Sequence, residues 1–195
     1  MAAICVFCSS SELIGRDHLR VAADLGSEMA RRGHVLVSGG GSVSMMGAVA
    51  RAARAAGGHT IGVIPRVLLD REVADHDAAE LVVVDSIRER KGVMDARSDA
   101  FIALAGGIGT LEELFEVWTA RTLGIHDKPI VVLDPEGLFD QLRAFLDTLV
   151  EQGFVRAAAL EAIVWADGAE EAVMLAEGSG AAPTPDEGEL LESEP

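Results

Sequence analysis

Phe101-Ile102-Ala103-Leu104-Ala105-Gly106-Gly107-Ile108-Gly109-Thr110-Leu111-Glu112-Glu113 carries more structural information than any other stretch of this 195-residue chain. Its first four residues form an apolar run that reads as a buried strand, and Leu111 to Leu123 is amphipathic and reads as a helix. A glycine-rich turn that feeds a helix N-terminus presents free backbone N–H groups and the positive end of a dipole, which suits a phosphate. A carboxylate, Glu113, falls one turn into the same helix. A phosphate cradle beside a carboxylate points to chemistry on a phosphorylated substrate rather than to simple cofactor docking.

Working outward, apolar runs alternate with helical patterns almost from end to end. Strands are predicted at 3–8, 35–38, 60–64, 81–84, 100–104, 129–133 and 162–165, and helices at 17–32, 44–56, 87–97, 111–123, 137–152 and 169–176. Short Val/Ile/Leu runs separated by helices are the pattern of a parallel sheet covered on both faces. The expected fold is α/β, a Rossmann-like doubly wound sheet in a single domain over residues 1–177. Residues 178–195 hold five acids, no bases and few core-forming side chains, so they are expected to form a disordered acidic tail.

The composition sets bounds on function. Charged residues interrupt every apolar run before it reaches the length of a membrane span. The N-terminal residues lack the basic and long apolar regions of a secretory signal, so a cytoplasmic protein is expected. The formal net charge is −16, which argues against a nucleic-acid partner but leaves room for a small anion held by local N–H groups and a few arginines.

In a doubly wound sheet every strand-to-helix loop lies on one edge, where ligands bind. Four informative loops fall there: 8–11, 39–47, 85–91 and 106–113. Arg90 lies one turn into the helix after the fourth predicted strand, and Glu113 at the same depth after the fifth. Were those strands neighbours, helix starts roughly 10 Å apart would bring cation and carboxylate into one pocket.

Each motif has a plainer reading. Ser38-Gly39-Gly40-Gly41-Ser42-Val43-Ser44-Met45-Met46-Gly47 is a second glycine-rich turn, either packing or contacting substrate. It lacks the glycine at Ser44, and the acid after the next strand, that a dinucleotide fingerprint needs. Thr110-Leu111-Glu112-Glu113 also fits a capping box, in which Glu113 would spend its oxygens on the helix start; capping and catalysis stand level on these residues alone. Glu89-Arg90-Lys91 reads as a solvated helical face or, from its place on the ligand edge, as part of the site. Asp70-Arg71-Glu72 lies in a long connection, 65–80, of the length expected for a lid or an interface element. Cys5 and Cys8 stand three apart within a strand, so their sulfurs point to opposite faces and form neither a redox pair nor half a zinc site. The histidines at 18, 34, 59, 76 and 126 show no metal-ligand spacing, and no serine sits in a nucleophile elbow. Neither a metal nor a covalent nucleophile is expected.

Taken in order, these motifs resemble the LOG (Lonely Guy) family, the cytokinin riboside 5′-monophosphate phosphoribohydrolases, often mislabelled lysine decarboxylases. The resemblance runs from Ile4 to about Glu177. It rests on Cys5-Val6-Phe7-Cys8-Ser9-Ser10, Gly39-Gly40-Gly41 with Met46-Gly47, Gly62-Val63-Ile64-Pro65, Asp70-Arg71-Glu72-Val73 and Glu89-Arg90-Lys91. It continues through Ser98-Asp99-Ala100-Phe101, Gly106-Gly107-x-Gly109-Thr110-x-x-Glu113 and Gly124-Ile125-His126-Asp127-Lys128-Pro129. The chain departs from the family pattern at Ala105, where the motif begins with proline, and at Ser44-Met45-Met46-Gly47, which commonly reads Gly-Leu-Met-Gly.

The resemblance implies hydrolysis of the N-glycosidic bond of an N6-modified adenosine 5′-monophosphate to free base and ribose 5-phosphate, with water as second substrate and no cofactor. By the same mapping Glu113 and Arg90 are catalytic, and Gly107, Gly109 and Thr110 hold the 5′-phosphate. Lys91, Glu72, Gly41, Met46 and Ser10 are substrate contacts, with Met46 lining the base pocket and Glu72 lent by a neighbouring subunit. A homodimer or larger homo-oligomer with the site near its interface is implied as well. The competing reading is a non-catalytic nucleotide-binding or carrier protein on the same scaffold. A pyridoxal-dependent decarboxylase fits poorly, because Lys91 and Lys128 are the only lysines and neither has a Schiff-base context.

Overall fold

The computed structural model describes residues 1–69 and 74–178. Within them one seven-stranded sheet contains β1 (Ala3–Phe7), β2 (Val35–Ser38), β3 (Thr60–Pro65), β4 (Glu80–Val84), β5 (Ala100–Ala103), β6 (Ile130–Leu133) and β7 (Val164–Ala166). Every pairing is parallel, in the order β4-β3-β2-β1-β5-β6-β7. The helices are α1 (Arg16–Arg31), α2 (Ser44–Ala55), α3 (Ile87–Ala96), α4 (Ile108–Thr122), α5 (Asp140–Glu151), α6 (Ala157–Glu161) and α7 (Ala169–Ala176). Glu72, and the predicted tail beyond Gly178, lie outside the described residues.

Strand periodicity sorts the core into two layers. Ile4, Val6, Leu36, Ile102 and Val131 face α1, α2 and α7. Cys5, Phe7, Val37, Phe101 and Val132 face α3, α4 and α5. The two cysteine sulfurs therefore do part company, Cys8 joining the first layer and Cys5 the second. Buried Ala22, Leu25, Gly26 and Met29 form the stripe of α1 at helical spacing, each large apolar side chain stabilising the fold by about 1.5–3 kcal/mol. That stripe meets α2 so closely that a Cβ on Gly26 would lie 2.2 Å from the Val49 carbonyl oxygen.

Three expectations are corrected. The helix after β5 begins at Ile108 rather than Leu111, and the one after β6 begins at Asp140 rather than Gly137. A short helix, α6, precedes β7, which had no separate sequence signal. The fourth and fifth strands are not neighbours: β3, β2 and β1 stand between them.

The chain ends are clasped together. Buried His34 accepts the Ala2 N–H at Nδ1, 3.1 Å, and its Nε2 lies 2.8 Å from Glu177 at the end of α7. Arg32 reaches both Glu177 and Glu28. Hydrogen bonds from His34 and charge from Arg32 hold the Glu177 carboxyl below its ordinary 4.5. Bonds from Arg31 and Arg32 do the same for Glu28.

Two outcomes follow from this packing. Gly26→Ala forces α1 away from α2 and should cost about 1–3 kcal/mol, read as a lower urea midpoint. Carboxyls depressed on folding stabilise the protein fully above their unfolded value near 4.5, and that stability is lost as pH falls through the folded values. The urea midpoint should therefore drop between pH 6 and pH 3.5, and Glu177→Gln should flatten the drop.

Candidate active site

The chain winds outward from β1 to the edge strand β4, then returns through α3 to set β5 on the other side of β1. The helices that follow β1 and β5 leave on opposite faces, so a crevice opens beyond the carboxyl ends of these two strands. The loops after β1, β2 and β5 border that crevice, and α3 lends it a side chain although β4 lies at the sheet edge.

Gly107 is the N-cap of α4, and no side chain caps this helix. The first intrahelical bond runs from Leu111 N–H to Gly107 O, which leaves the N–H groups of Ile108, Gly109 and Thr110 without acceptors in the helix. The capping-box reading of Thr110 and Glu113 is thereby overturned: Thr110 is already in the first turn, and Glu113 is the sixth residue of the helix, deeper than expected. A Cβ on Gly107 or Gly109 would meet nothing within 4 Å, so both glycines face open space. Gly106 is different, because a Cβ there would lie 2.1 Å from the Thr110 hydroxyl oxygen. Ala105 keeps the turn tied to the β1 loop, its carbonyl accepting the Ser9 N–H at 3.3 Å.

Arg90 enters from α3. Ser86 caps that helix by accepting the Glu89 N–H, and Glu89 in return accepts the Asp85 N–H at 2.8 Å. From this fixed start the Arg90 side chain crosses over the sheet edge. Its Nε donates to Val63 O within β3, 3.1 Å, and a terminal nitrogen donates to Gly39 O just beyond β2, 3.0 Å. The guanidinium is buried, and its other terminal nitrogen lies 3.9 Å from a Glu113 carboxylate oxygen. Gly39 makes this possible: a Cβ there would sit 1.7 Å from the guanidinium. The sequence places Gly39 in the second glycine-rich turn, but its role toward the guanidinium becomes visible only once Arg90 is placed.

Arg90, Glu113, Thr110, Gly109, Met46 and Ser10 line one cavity of about 130 Å³, together with Gly39, Cys8 and Met94. Three predicted contacts lie elsewhere. Gly107 borders the turn rather than the cavity wall. Gly41 pairs with Ala74 in an antiparallel bridge. Lys91 turns away to α4, paired with Glu112 and, at 2.8 Å, with Glu116, and both partners raise its pKa. It lines a second cavity of about 160 Å³ on the other side of Glu113, floored by Phe7 and Phe101. Cys8 reaches the first cavity, but burial and then the charge of Glu113 push its thiol up, so it stays protonated and is no nucleophile. His126 is engaged at both ring nitrogens, by Val117 O and Lys128 N–H, and burial lowers its pKa. No cluster of His, Cys, Asp or Glu among the described residues could hold a metal ion.

Two further contacts brace the rim. Asp75, almost fully buried, donates its N–H to Gly40 O and accepts two bonds from Arg54 at 2.6 and 3.1 Å. The ion pair ties the connection after β3 to the last turn of α2, and the Asp75 N–H ties it to the second glycine turn. Ser44, the first residue of α2, has φ +51°, a left-handed conformation that costs a non-glycine residue about 1–2 kcal/mol. Its hydroxyl donates to Ser11 O at 2.5 Å.

Known proteins resemble this chain over most of its length. Residues 46–175 match a family described as "possible lysine decarboxylase". A Mycobacterium tuberculosis protein named cytokinin riboside 5′-monophosphate phosphoribohydrolase is 54% identical over 170 residues, 87% of this chain and 90% of that one. An Arabidopsis thaliana protein of the same name is 46% identical over 87% of this chain and 79% of its own length. Among solved structures, the molybdenum cofactor binding protein of Rippkaea orientalis superposes with a TM-score of 0.69 at 26% identity, over 90% of this chain and 95% of that one.

The rim predicts its own test. Removing Arg54 leaves the Asp75 carboxylate buried without its partner, so Arg54→Met should destabilise the protein by about 3–5 kcal/mol in urea unfolding. The double variant Arg54→Met with Asp75→Leu should recover part of that loss.

Proposed function

This chain belongs to the LOG family of cytokinin riboside 5′-monophosphate phosphoribohydrolases, and on that footing we propose that it hydrolyses the N-glycosidic bond of N6-modified adenosine 5′-monophosphates, releasing free base and ribose 5-phosphate. The observation that carries the reading is the Arg90–Glu113 pair standing directly behind the uncapped N-terminus of α4. The family description as a decarboxylase finds no support in the two lysines, since Lys91 is held by Glu112 and Glu116 and Lys128 by Asp95.

In this reading the 5′-phosphate rests on the N–H groups of Gly109 and Thr110, with the Thr110 hydroxyl as a further donor. Glu113 follows Thr110 by three residues on the same helix face, about 4.5 Å of rise, the order of distance by which a ribose separates its phosphate from C1′. Breaking the glycosidic bond develops positive charge at C1′. The Glu113 carboxylate stabilises that charge and orients the attacking water, taking its proton as the C–O bond forms. Electrons of the broken C–N bond go to the purine, where the Arg90 guanidinium meets the growing negative charge until the base takes a proton from water and Glu113 returns its own to solvent. Two backbone carbonyls hold Arg90 in place, so it need not reorganise during the reaction. Water is the second substrate and no cofactor enters.

Ser10 and Met46 on the cavity wall serve as further substrate contacts, and Gly107 as the turn that opens the phosphate cradle. Gly41, Lys91 and Glu72 are assigned to the site by family resemblance. We place the protein in the cytoplasm, a reading supported by its unpaired buried thiols. No helix among the described residues is long and apolar enough to cross a membrane. A homo-oligomer is supported by the exposed apolar side chains of Leu13, on the loop after β1, and Ile108, the first residue of α4, both beside the site.

The carrier alternative draws on the likeness to the Rippkaea protein, at 26% identity against 54% for the named hydrolase. Both readings predict AMP binding, and product release separates them. Incubated with isopentenyladenosine monophosphate and with AMP, wild-type protein should release free base and ribose 5-phosphate. Glu113→Gln should reduce kcat by about 10²–10⁴-fold while still binding nucleotide. Binding without release by the wild type would establish the carrier instead.

A further inference from the structure

Ser44 adopts a conformation its side chain disfavours. Among the described residues it is the one non-glycine with positive φ. It opens α2 just after the glycine turn that follows β2, and its hydroxyl reaches across to the loop after β1 and donates to Ser11 O at 2.5 Å. That loop is pinned on its other side by the bond from Ser9 N–H to Ala105 O, at the threshold of the α4 turn. Between those two anchors stands Ser10, on the wall of the cavity that also holds Gly109 and Thr110. Within the loop, Ser9 Oγ accepts the Ser11 N–H and Ser11 Oγ accepts the Leu13 N–H, so a pull at Ser11 is passed along the loop.

We propose that Ser44 is a positioning residue whose hydroxyl clasps the β1 loop at Ser11 and thereby sets Ser10 against the phosphate end of the cavity. The inference rests on the nucleotide reading above. Glycine at position 44 would suit the backbone better, because it carries no Cβ into the left-handed region, but it would have nothing to offer Ser11. The strained serine stands where its hydroxyl spans two of the segments that border the site. The clasp affects the phosphate and not the base, since Ser9, next to Ser10, is bonded to Ala105 at the threshold of the α4 turn.

The test uses the full chain in the Glu113→Gln background, which keeps nucleotide intact during titration calorimetry. AMP and adenosine are compared as probes, with thermal melting measured in parallel. Ser44→Gly and Ser44→Ala should both weaken AMP binding by about five- to tenfold, the scale of one lost hydrogen bond, while adenosine binding is unchanged. Ser44→Ala should melt below Ser44→Gly, because alanine keeps the strain and loses the bond. Ser44→Asn, which tolerates the left-handed region and carries a donor, should restore AMP binding. AMP affinity would then follow the side-chain donor while melting follows the backbone. Undiminished AMP binding by Ser44→Gly, or equal weakening of AMP and adenosine, would overturn the proposal. A parent protein that binds no AMP would instead sink the functional reading, and this inference with it.

Discussion

The site depends on the fixing of one guanidinium. Arg90 belongs to a helix that follows the edge strand, yet its charge is needed over the centre of the sheet. Two main-chain carbonyls, Val63 O and Gly39 O, receive it there, one within β3 and the other just beyond β2. A buried arginine is tolerable only when its donors are met and a countercharge is near. Glu113, 3.9 Å away, supplies the charge, and the two carbonyls supply acceptors. Much of the surrounding design serves that arrangement: Gly39 has no side chain to block it, Ser86 fixes the start of α3, and Asp75, held by Arg54 of α2, donates its N–H to Gly40 O in the glycine turn.

Catalytic positioning and fold topology are therefore one problem. Reversal of strand order between β1 and β5 opens the crevice, and the free N-terminus of α4 lies at its mouth. In the proposed function, a phosphate held there and a carboxylate one turn deeper divide the helix between binding and chemistry. The lack of a capping side chain at Gly107 leaves the N–H groups available to a ligand. The neutral thiol of Cys8 and the doubly engaged ring of His126 stand apart from the proposed reaction, which uses the carboxylate, the guanidinium and water.

Much of this was legible in the residues. Continuous apolar runs at strand length, separated by helical periods, specify a two-sided parallel sheet, and the odd spacing of Cys5 and Cys8 correctly sent them to opposite layers. Strand order was not legible, because local pattern says nothing about which strands pair; the meeting of Arg90 and Glu113 came about by a reach across the sheet, not by adjacent helix starts. Thr110 and Glu113 imitate a capping box because helix propensity does not reveal that Gly107 has already begun the helix. Lys91, next to Arg90 in sequence, is drawn off by an acidic pair at i and i+4 on α4, a partnership visible only in three dimensions. Serine at position 44 stood out as a departure from the family pattern, but only its φ shows what the departure costs and its bond to Ser11 what it accomplishes.

The central claim is that one nucleotide spans the α4 N-terminus and the Arg90–Glu113 pair. A crystal structure of Glu113→Gln with isopentenyladenosine monophosphate tests it most directly. The account predicts the 5′-phosphate on the N–H groups of Gly109 and Thr110, C1′ beside the substituted side chain at position 113, and the purine within reach of Arg90. A nucleotide bound with its phosphate away from α4, or with its glycosidic bond remote from position 113, would contradict it.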